Sequence, residues 1–242
     1  MSRLINKRSA IDDFTRRLLS SEVGEAVAKI VLFGSVLRGS AGKDSDIDLM
    51  VIASSKLEQV TEACSDAAFE TLLKQKEGVE TIVHCLDEWR FPTSYLVWQV
   101  KKEGKEIYTM EEKEIRRAEA QGYLEIAGHY LDAAKRNMEA EDYRVAADLA
   151  YNAAELSAKG LLILKLEELP CSHRGVVNRF SELYIQDGSL PKELGRRLNR
   201  GLSVRNQARY EPHIRLGKKE ADEMVDLAED LTRALEERLT GE

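Results

Sequence analysis

The sequence predicts an α/β (more strictly α+β) first part with a small mixed sheet, followed by an all-α helical bundle. Three observations predict it. Short apolar runs alternate with helix-period stretches through the first hundred-odd residues. After Glu111 no strand candidate remains. The rest of the chain repeats apolar residues at the 3.6-residue helical period. The composition shift near Glu111 therefore divides the chain into residues 1–110 and 111–242.

The elements follow in order. Ile5 to Leu19 has helical spacing. Lys29 to Phe33 (KIVLF) is a short apolar run ended by Gly34 and predicts a buried strand. Asp46 to Ile52 (DIDLMVI) predicts a second strand, Leu57 to Gln75 a helix, and Gly78 to Leu86 a third strand. Ser94 to Lys102 predicts a helix stopped by Gly104, and Lys105 to Thr109 an edge strand. In the second part, helices are expected over Glu114–Met138, Tyr143–Leu169 (stopped by Pro170), Val176–Ile185, Pro191–Val204 and Lys218–Leu239. The second of these carries Ala146, Ala147, Ala150, Ala153, Ala154, Ala158 and Gly160, a face that lets another helix approach closely. In the last, Ala221, Met224, Val225, Ala228, Leu231 and Leu235 form one apolar stripe.

Composition narrows the class. With 33% charged and 43% hydrophobic residues the 242-residue chain is expected to be a soluble globular protein. No apolar run reaches the eighteen or so residues of a membrane span, and MSRLINKRSAIDDF lacks a signal-peptide core. Cys64, Cys85 and Cys171 stand far apart with no metal-type spacing, which suits a reducing cytoplasm. A net charge of −7 argues against a general nucleic-acid coat protein. Locally, Pro191–Lys219 carries +7 and Glu220–Glu242 carries −7. These two segments are expected to neutralise each other, the alternative being a basic surface for a phosphate-bearing ligand.

The chemistry concentrates in Leu32–Val51, LFGSVLRGSAGKDSDIDLMV. A strand ends at Gly34-Ser35, a loop with Arg38, Gly39 and Gly42 follows, and the next strand opens with Asp46-Ile47-Asp48. Strand alternation puts Asp46 and Asp48 on one face. Two adjacent carboxylates repel unless a cation lies between them, and hard divalent cations prefer such oxygens, shared with substrate phosphates. Glycine lets backbone amides approach phosphates, the Ser35 hydroxyl adds a donor, and Arg38 supplies counter-charge.

Gly-Ser, a ten-residue gap and Asp-x-Asp together resemble the signature of the polymerase-beta nucleotidyltransferase superfamily, and GSVLRG resembles its minimal nucleotidyltransferase (MNT) branch. The likeness covers about residues 29–109. It implies a metal-dependent nucleotidyl transfer with Mg²⁺ or Mn²⁺ on Asp46 and Asp48, and a triphosphate cradled by Gly34, Ser35, Arg38 and Gly39. The family's third carboxylate, which activates the attacking hydroxyl, falls on Glu80. Thr81 stands after it where the family usually has an apolar residue.

In the second part, AADLAYNAAELSAKGLLILKLEELPCSHRGVV and LSVRNQARYEPHIRLGKKEADEMVDLAEDL resemble the HEPN domain, over about residues 114–239. Many such domains are RNases with an R-x(4–6)-H motif. Here seven residues separate Arg205 from His213, and Pro212 intervenes, so the possible site Arg205, Asn206, Tyr210 and His213 departs from the pattern. His173 with Arg174, after Pro170, is expected to be a solvated loop histidine or a helix cap, the alternative being a phosphate-binding pair. The function this implies is transfer of a nucleoside monophosphate, AMP above all, from a triphosphate such as ATP to a hydroxyl on RNA, protein or a small molecule. The alternatives are a nucleotide-binding regulatory module without turnover, or a toxin-antitoxin-like fusion whose HEPN part cuts RNA. The resemblance also implies a homodimer.

Overall fold

The computed structural model describes residues 2–42 and 45–241. The chain forms two compact units, Met1–Ala118 and Glu119–Glu242.

In the first unit, helix α1 (Ser2–Leu19) leads through a short 3₁₀ turn into strand β1 (Val27–Phe33). Helix α2 (Gly34–Leu37), strand β2 (Ile47–Ala53), helix α3 (Leu57–Gln75) and strand β3 (Val79–Cys85) follow. Helices α4 (Leu86–Arg90) and α5 (Tyr95–Glu103) and strand β4 (Lys105–Thr109) complete the unit. The sheet order is β3-β2-β1-β4, with β2/β3 parallel and both pairs of β1 antiparallel. It is the expected small mixed sheet, with β4 at its edge.

Both faces of this sheet are covered, which is why β1 and β2 read as continuous apolar runs rather than alternating ones. Ile30, Leu32, Ile47, Leu49 and Val51 pack with Phe14, Leu18, Val60 and Cys64 of α1 and α3. The intervening Val31, Met50 and Ile52 pack with Leu86, Trp89, Val97 and Val100 of α4 and α5. Asp13, 1% exposed, holds α1 to α3: it accepts from Arg17 at 2.8 Å and Lys74 at 2.9 Å, and pairs with Arg16. Two short helices, α2 and α4, are additions to the elements expected from sequence.

The second unit is built of helices, with no strand among its described residues. Helix α6 (Glu112–Glu139) begins before the unit boundary. Helices α7 (Tyr143–Ile163) and α8 (His173–Phe180) follow, the latter continued by a π turn over Ser181–Ile185, and then α9 (Lys192–Tyr210) and α10 (Lys218–Thr240). Helix α7 is the centre of this core, nearly ringed by buried residues. Its small residues serve packing inside the unit: a Cβ on Gly160 would lie 2.5 Å from Leu235 of α10.

Two expected boundaries shift. Helix α7 stops at Ile163, not at Pro170. The amides of Lys165 and Leu166 both turn onto the Leu162 carbonyl, and the Lys165 ammonium reaches across to Leu183 O at 2.7 Å and Asp187 at 2.9 Å. Helix α9 runs past Val204 to Tyr210. Its end is held by Arg144, whose guanidinium donates to the carbonyls of Gln207 (3.2 Å), Ala208 (2.6 Å), Glu211 (2.9 Å) and Ile214. One cation thus gathers carbonyls from the last turn of α9 and from the segment that follows it. Among the described residues no helix is long and apolar enough to cross a membrane.

Candidate active site

The site lies where β1 ends and β2 begins, on the α4/α5 face of the sheet. Ile47 and Leu49 point to the opposite core, so alternation turns Asp48 to this face. Along β2 the apolar pattern Met50, Ile52 on this face gives way to a carboxylate at the strand's start.

Gly34 has φ +70°, a left-handed conformation that L side chains rarely adopt, and a Cβ there would lie 1.8 Å from the Asp48 Oδ2. Gly78, just before β3, is the counterpart for the other acid: a Cβ on it would lie 2.1 Å from the Asp46 Oδ1. Each carboxylate therefore lies against a backbone stripped of its side chain. Asp46 stands just before β2 rather than within it. The Ile47 amide that follows donates to the Gly78 carbonyl at 2.9 Å.

In the sheet, Asp48 pairs with Phe33 of β1 on one side and with Glu80 of β3 on the other. Parallel partners share a face, so Asp48 and Glu80 are neighbours on it. Thr81 pairs with Leu49 and belongs to the opposite face. Asp48 is half-buried; Asp46 and Glu80 are exposed.

A cavity of about 350 Å³ opens beside Asp48, lined by Phe33, Gly34, Leu37 and Arg38 and, from α5, by Leu96, Gln99, Val100 and Glu103. Of the residues singled out in the sequence, Gly34, Arg38 and Asp48 line it. Ser35 and Gly39 belong to the turn that follows β1, where the Gly39 amide donates to Val36 O at 3.2 Å and the Ser40 amide to Ser35 O at 3.1 Å. Lys43 and Asp44 of the motif lie outside the described residues.

Among the described residues no three His, Cys, Asp or Glu side chains form a self-sufficient metal cage. The donor set present, two carboxylates against glycine backbone, fits the other mode of binding Mg²⁺, in which one or two carboxylates hold the ion and phosphates complete its shell.

Two contributors escaped the sequence reading. Leu96, Gln99, Val100 and Glu103 follow i, i+3, i+4, i+7 spacing, which marks one helix face but not what it faces. Lys7 of α1, 7% exposed, donates to Ser45 O at 2.6 Å and to Glu77 at 2.9 Å. It thereby ties the residue before Asp46 to the residue before Gly78.

In the helical unit, Arg205 is 5% exposed on α9. It donates to Asn206 Oδ1 at 3.1 Å and lies over the Tyr210 ring at 5.6 Å. His213 falls beyond the helix end and is exposed, so the structure gathers Arg205, Asn206 and Tyr210 but not His213. Part of the basic segment is paired: Arg197 with Asp230 at 2.5 Å, Arg200 with Glu223 at 3.4 Å and Arg209 with Asp148 at 2.6 Å. His173 takes the helix-end alternative, and its side chain stays partly exposed. It opens α8 and shares a 2.5 Å hydrogen bond with the buried Glu155, which Lys159 also meets at 3.0 Å. Burial pushes the Glu155 carboxyl up, but His173 and Lys159 outweigh it and hold it below its ordinary value.

Comparison with known proteins assigns the two units. A family model described as "Nucleotidyltransferase domain" matches residues 14–122, and one described as "HEPN domain" matches residues 120–238. The chain is a polymerase-beta-type nucleotidyltransferase fused to a HEPN domain. Two proteins of Methanocaldococcus jannaschii are similar to it. "Putative toxin MJ0605" is 36% identical over 94 residues, 39% of this chain and 69% of that protein. "Putative protein adenylyltransferase MJ0604" is 29% identical over 110 residues, 43% of this chain and all of that protein. The crystal structure of spectinomycin adenyltransferase AAD(9) from Enterococcus faecialis with ATP and spectinomycin aligns with 93% of this chain and 98% of its own. That alignment has a TM-score of 0.33 and 14% identity, too remote to carry an argument. The nucleotidyltransferase–HEPN fusion is thus an enzyme whose transfer domain holds the Gly-Ser and Asp-x-Asp elements.

Proposed function

We propose that this nucleotidyltransferase–HEPN fusion moves AMP from ATP to a hydroxyl acceptor with the help of a divalent cation. The observation that carries the reading is the seating of Asp48 between Gly34 and Glu80. Asp46 and Asp48 would hold Mg²⁺ or Mn²⁺, which when bound neutralises the triphosphate and aligns it for in-line displacement. Gly34 and Ser35 offer backbone and hydroxyl donors to the phosphates, Gly39 lets the turn approach them without a side chain, and Arg38 counters their charge. Glu80 takes the proton from the acceptor hydroxyl, whose oxygen forms a bond to the α-phosphorus as the bond to pyrophosphate breaks. The transfer chemistry is assigned to residues 1–110, and acceptor or ligand binding to residues 111–242.

The name of the 29%-identical relative supports a protein hydroxyl as acceptor; an RNA end is the other. The name of the 36%-identical relative favours a second reading, in which the HEPN domain cuts RNA. The exposed position of His213 beyond α9 speaks against it. A homodimer remains part of the proposal, but the alanine face of α7 is consumed within the unit. Ile126 and Tyr130, exposed one turn apart on α6, are better candidates for the contact. The setting is the cytoplasm, in keeping with three free cysteines.

The test is incubation with α-labelled ATP, GTP, CTP and UTP and Mg²⁺, alone and with added RNA. Label from ATP on the protein or on RNA is expected. Release of labelled monophosphate alone, or no reaction with any triphosphate, would count against transfer.

A further inference from the structure

We infer that Gln99 and Glu103 of α5 read the nucleobase of the triphosphate and select adenine. The inference rests on the proposed triphosphate site. Its starting point is that one cavity of about 350 Å³ joins Asp48, Gly34 and Arg38 to one face of α5, a size within the range of small-ligand sites. The phosphates belong at the carboxylate end. The rest of the lining has Phe33, Leu37, Leu96 and Val100 as apolar walls, and Gln99 and Glu103 as its polar side chains. Apolar walls with one polar edge suit a flat heteroaromatic ring rather than a sugar or a peptide.

The polar edge is oriented. Gln99 Nε2 and Glu103 Oε2 lie 3.4 Å apart, one helical turn from each other. An ionised carboxylate only accepts, so the Gln99 amide must turn its NH₂ toward Glu103. That leaves the Gln99 carbonyl, its second N–H and the other Glu103 oxygen for a ligand. Adenine offers the complement: an amino group beside a ring-nitrogen acceptor, which a Gln amide meets with two hydrogen bonds. Glu103 holds that amide in the orientation whose carbonyl faces the amino group. Guanine and uracil carry a carbonyl oxygen where adenine has the amino group, and that oxygen would face the Gln99 carbonyl, acceptor against acceptor. Cytosine has the amino group but only one ring to cover the apolar walls.

The experiment measures binding of non-hydrolysable ATP, CTP, GTP and UTP analogues to the full chain with Mg²⁺. The wild type is compared with Gln99→Ala, Glu103→Ala and Lys102→Ala. Gln99 is half-buried and Glu103 exposed, so both variants should keep the wild-type melting curve. Lys102, outside the cavity on the same helix, is the control. The wild type is expected to prefer the ATP analogue over those of GTP and UTP by on the order of tenfold. Both cavity variants should lose that preference by weakening ATP alone. Equal weakening of all four analogues, a preference for GTP, or an ATP preference untouched by the variants would overturn the assignment and leave the triphosphate site standing. Failure of the wild type to bind any of the four would bring down both.

Discussion

A Cβ on Gly34 would lie 1.8 Å from the Asp48 Oδ2, so the turn after β1 and the Asp48 carboxylate fix each other's position. Gly34→Ala must move one of them, and it also forces alanine into a φ of +70°. The backbone term alone costs roughly 1–2 kcal/mol, which a two-core unit should survive. The displaced carboxylate is the larger effect, since an error of an ångström at a reacting centre costs about a hundredfold in rate. Gly34→Ala is expected to remain folded by circular dichroism and to lose at least that much label transfer; a variant with wild-type transfer would show that Asp48 is not held by this contact.

Asp48 and Glu80 are neighbours across β2 and β3, yet their substitutions should separate binding from chemistry. Without Asp46 and Asp48 the cation has no anchor and the triphosphate loses its counter-charge. The double alanine variant should therefore bind no triphosphate by calorimetry while melting as the wild type does. Glu80→Gln keeps the shape and removes the base. It should bind ATP as before and lose about 10²–10⁴ in transfer rate. Equal affinity in the double variant would overturn the site; undiminished transfer by Glu80→Gln would remove the third acid from it.

Lys7 holds Ser45 O and Glu77 together from a distant helix. Lys7→Met retains the buried stem and removes the two donors. The two strand entries carrying Asp46 and Gly78 lose their tie, so Mg²⁺ and triphosphate affinity should fall in parallel. A titration in which transfer recovers at high Mg²⁺ would mark Lys7 as a positioning residue; an unchanged Mg²⁺ dependence would show the tie to be dispensable.

How far the sequence could be read depended on whether a feature was local. The strands around KIVLF and DIDLMVI were legible because burial on both faces leaves an unbroken apolar run. The end of α9 was not, because Arg144 holds it from another helix, and the early stop of α7 depends on a lysine reaching a carbonyl eighteen positions away. Asp46 and Asp48 could be singled out from their spacing within one strand entry. That Glu80 lies beside Asp48 required the β2/β3 register, and the role of α5 in the cavity required knowing which sheet face it covers. The partner of His173 was hidden for the same reason: Glu155 lies on a different helix.

Asp13 makes the transfer domain acid-sensitive. The Arg17 hydrogen bond, followed by that of Lys74, outweighs burial and holds its carboxyl below the ordinary value. A carboxyl depressed in the folded state contributes stability that is complete above its unfolded value, about 4, and is lost as pH falls through the folded value. Stability of this unit should decline below about pH 4. Asp13→Asn should lower the melting temperature at neutral pH by several degrees and flatten that acid limb. Parallel acid limbs in the two proteins would show that other groups govern the decline.

The HEPN domain is expected not to cut RNA. Metal-independent cleavage needs one group to take the 2′-hydroxyl proton and another to meet charge at phosphorus, both at the same bond. Arg205 lies buried on α9 against Tyr210 and Asn206, while His213 is exposed after the helix has ended, in a segment pinned by Arg144. Pro212 before it bars a return to helix at that point. Nor is the basic segment an open phosphate surface, because Arg197 and Arg200 are committed to Asp230 and Glu223 of α10. RNA binding, if measured, should be weak and fall steeply with salt. A gel assay in EDTA compares the wild type with Arg205→Ala and His213→Ala. Intact RNA in all three lanes is the expected result. Cleavage by the wild type that both substitutions abolish would overturn this reading and make RNA cutting the activity of the HEPN domain.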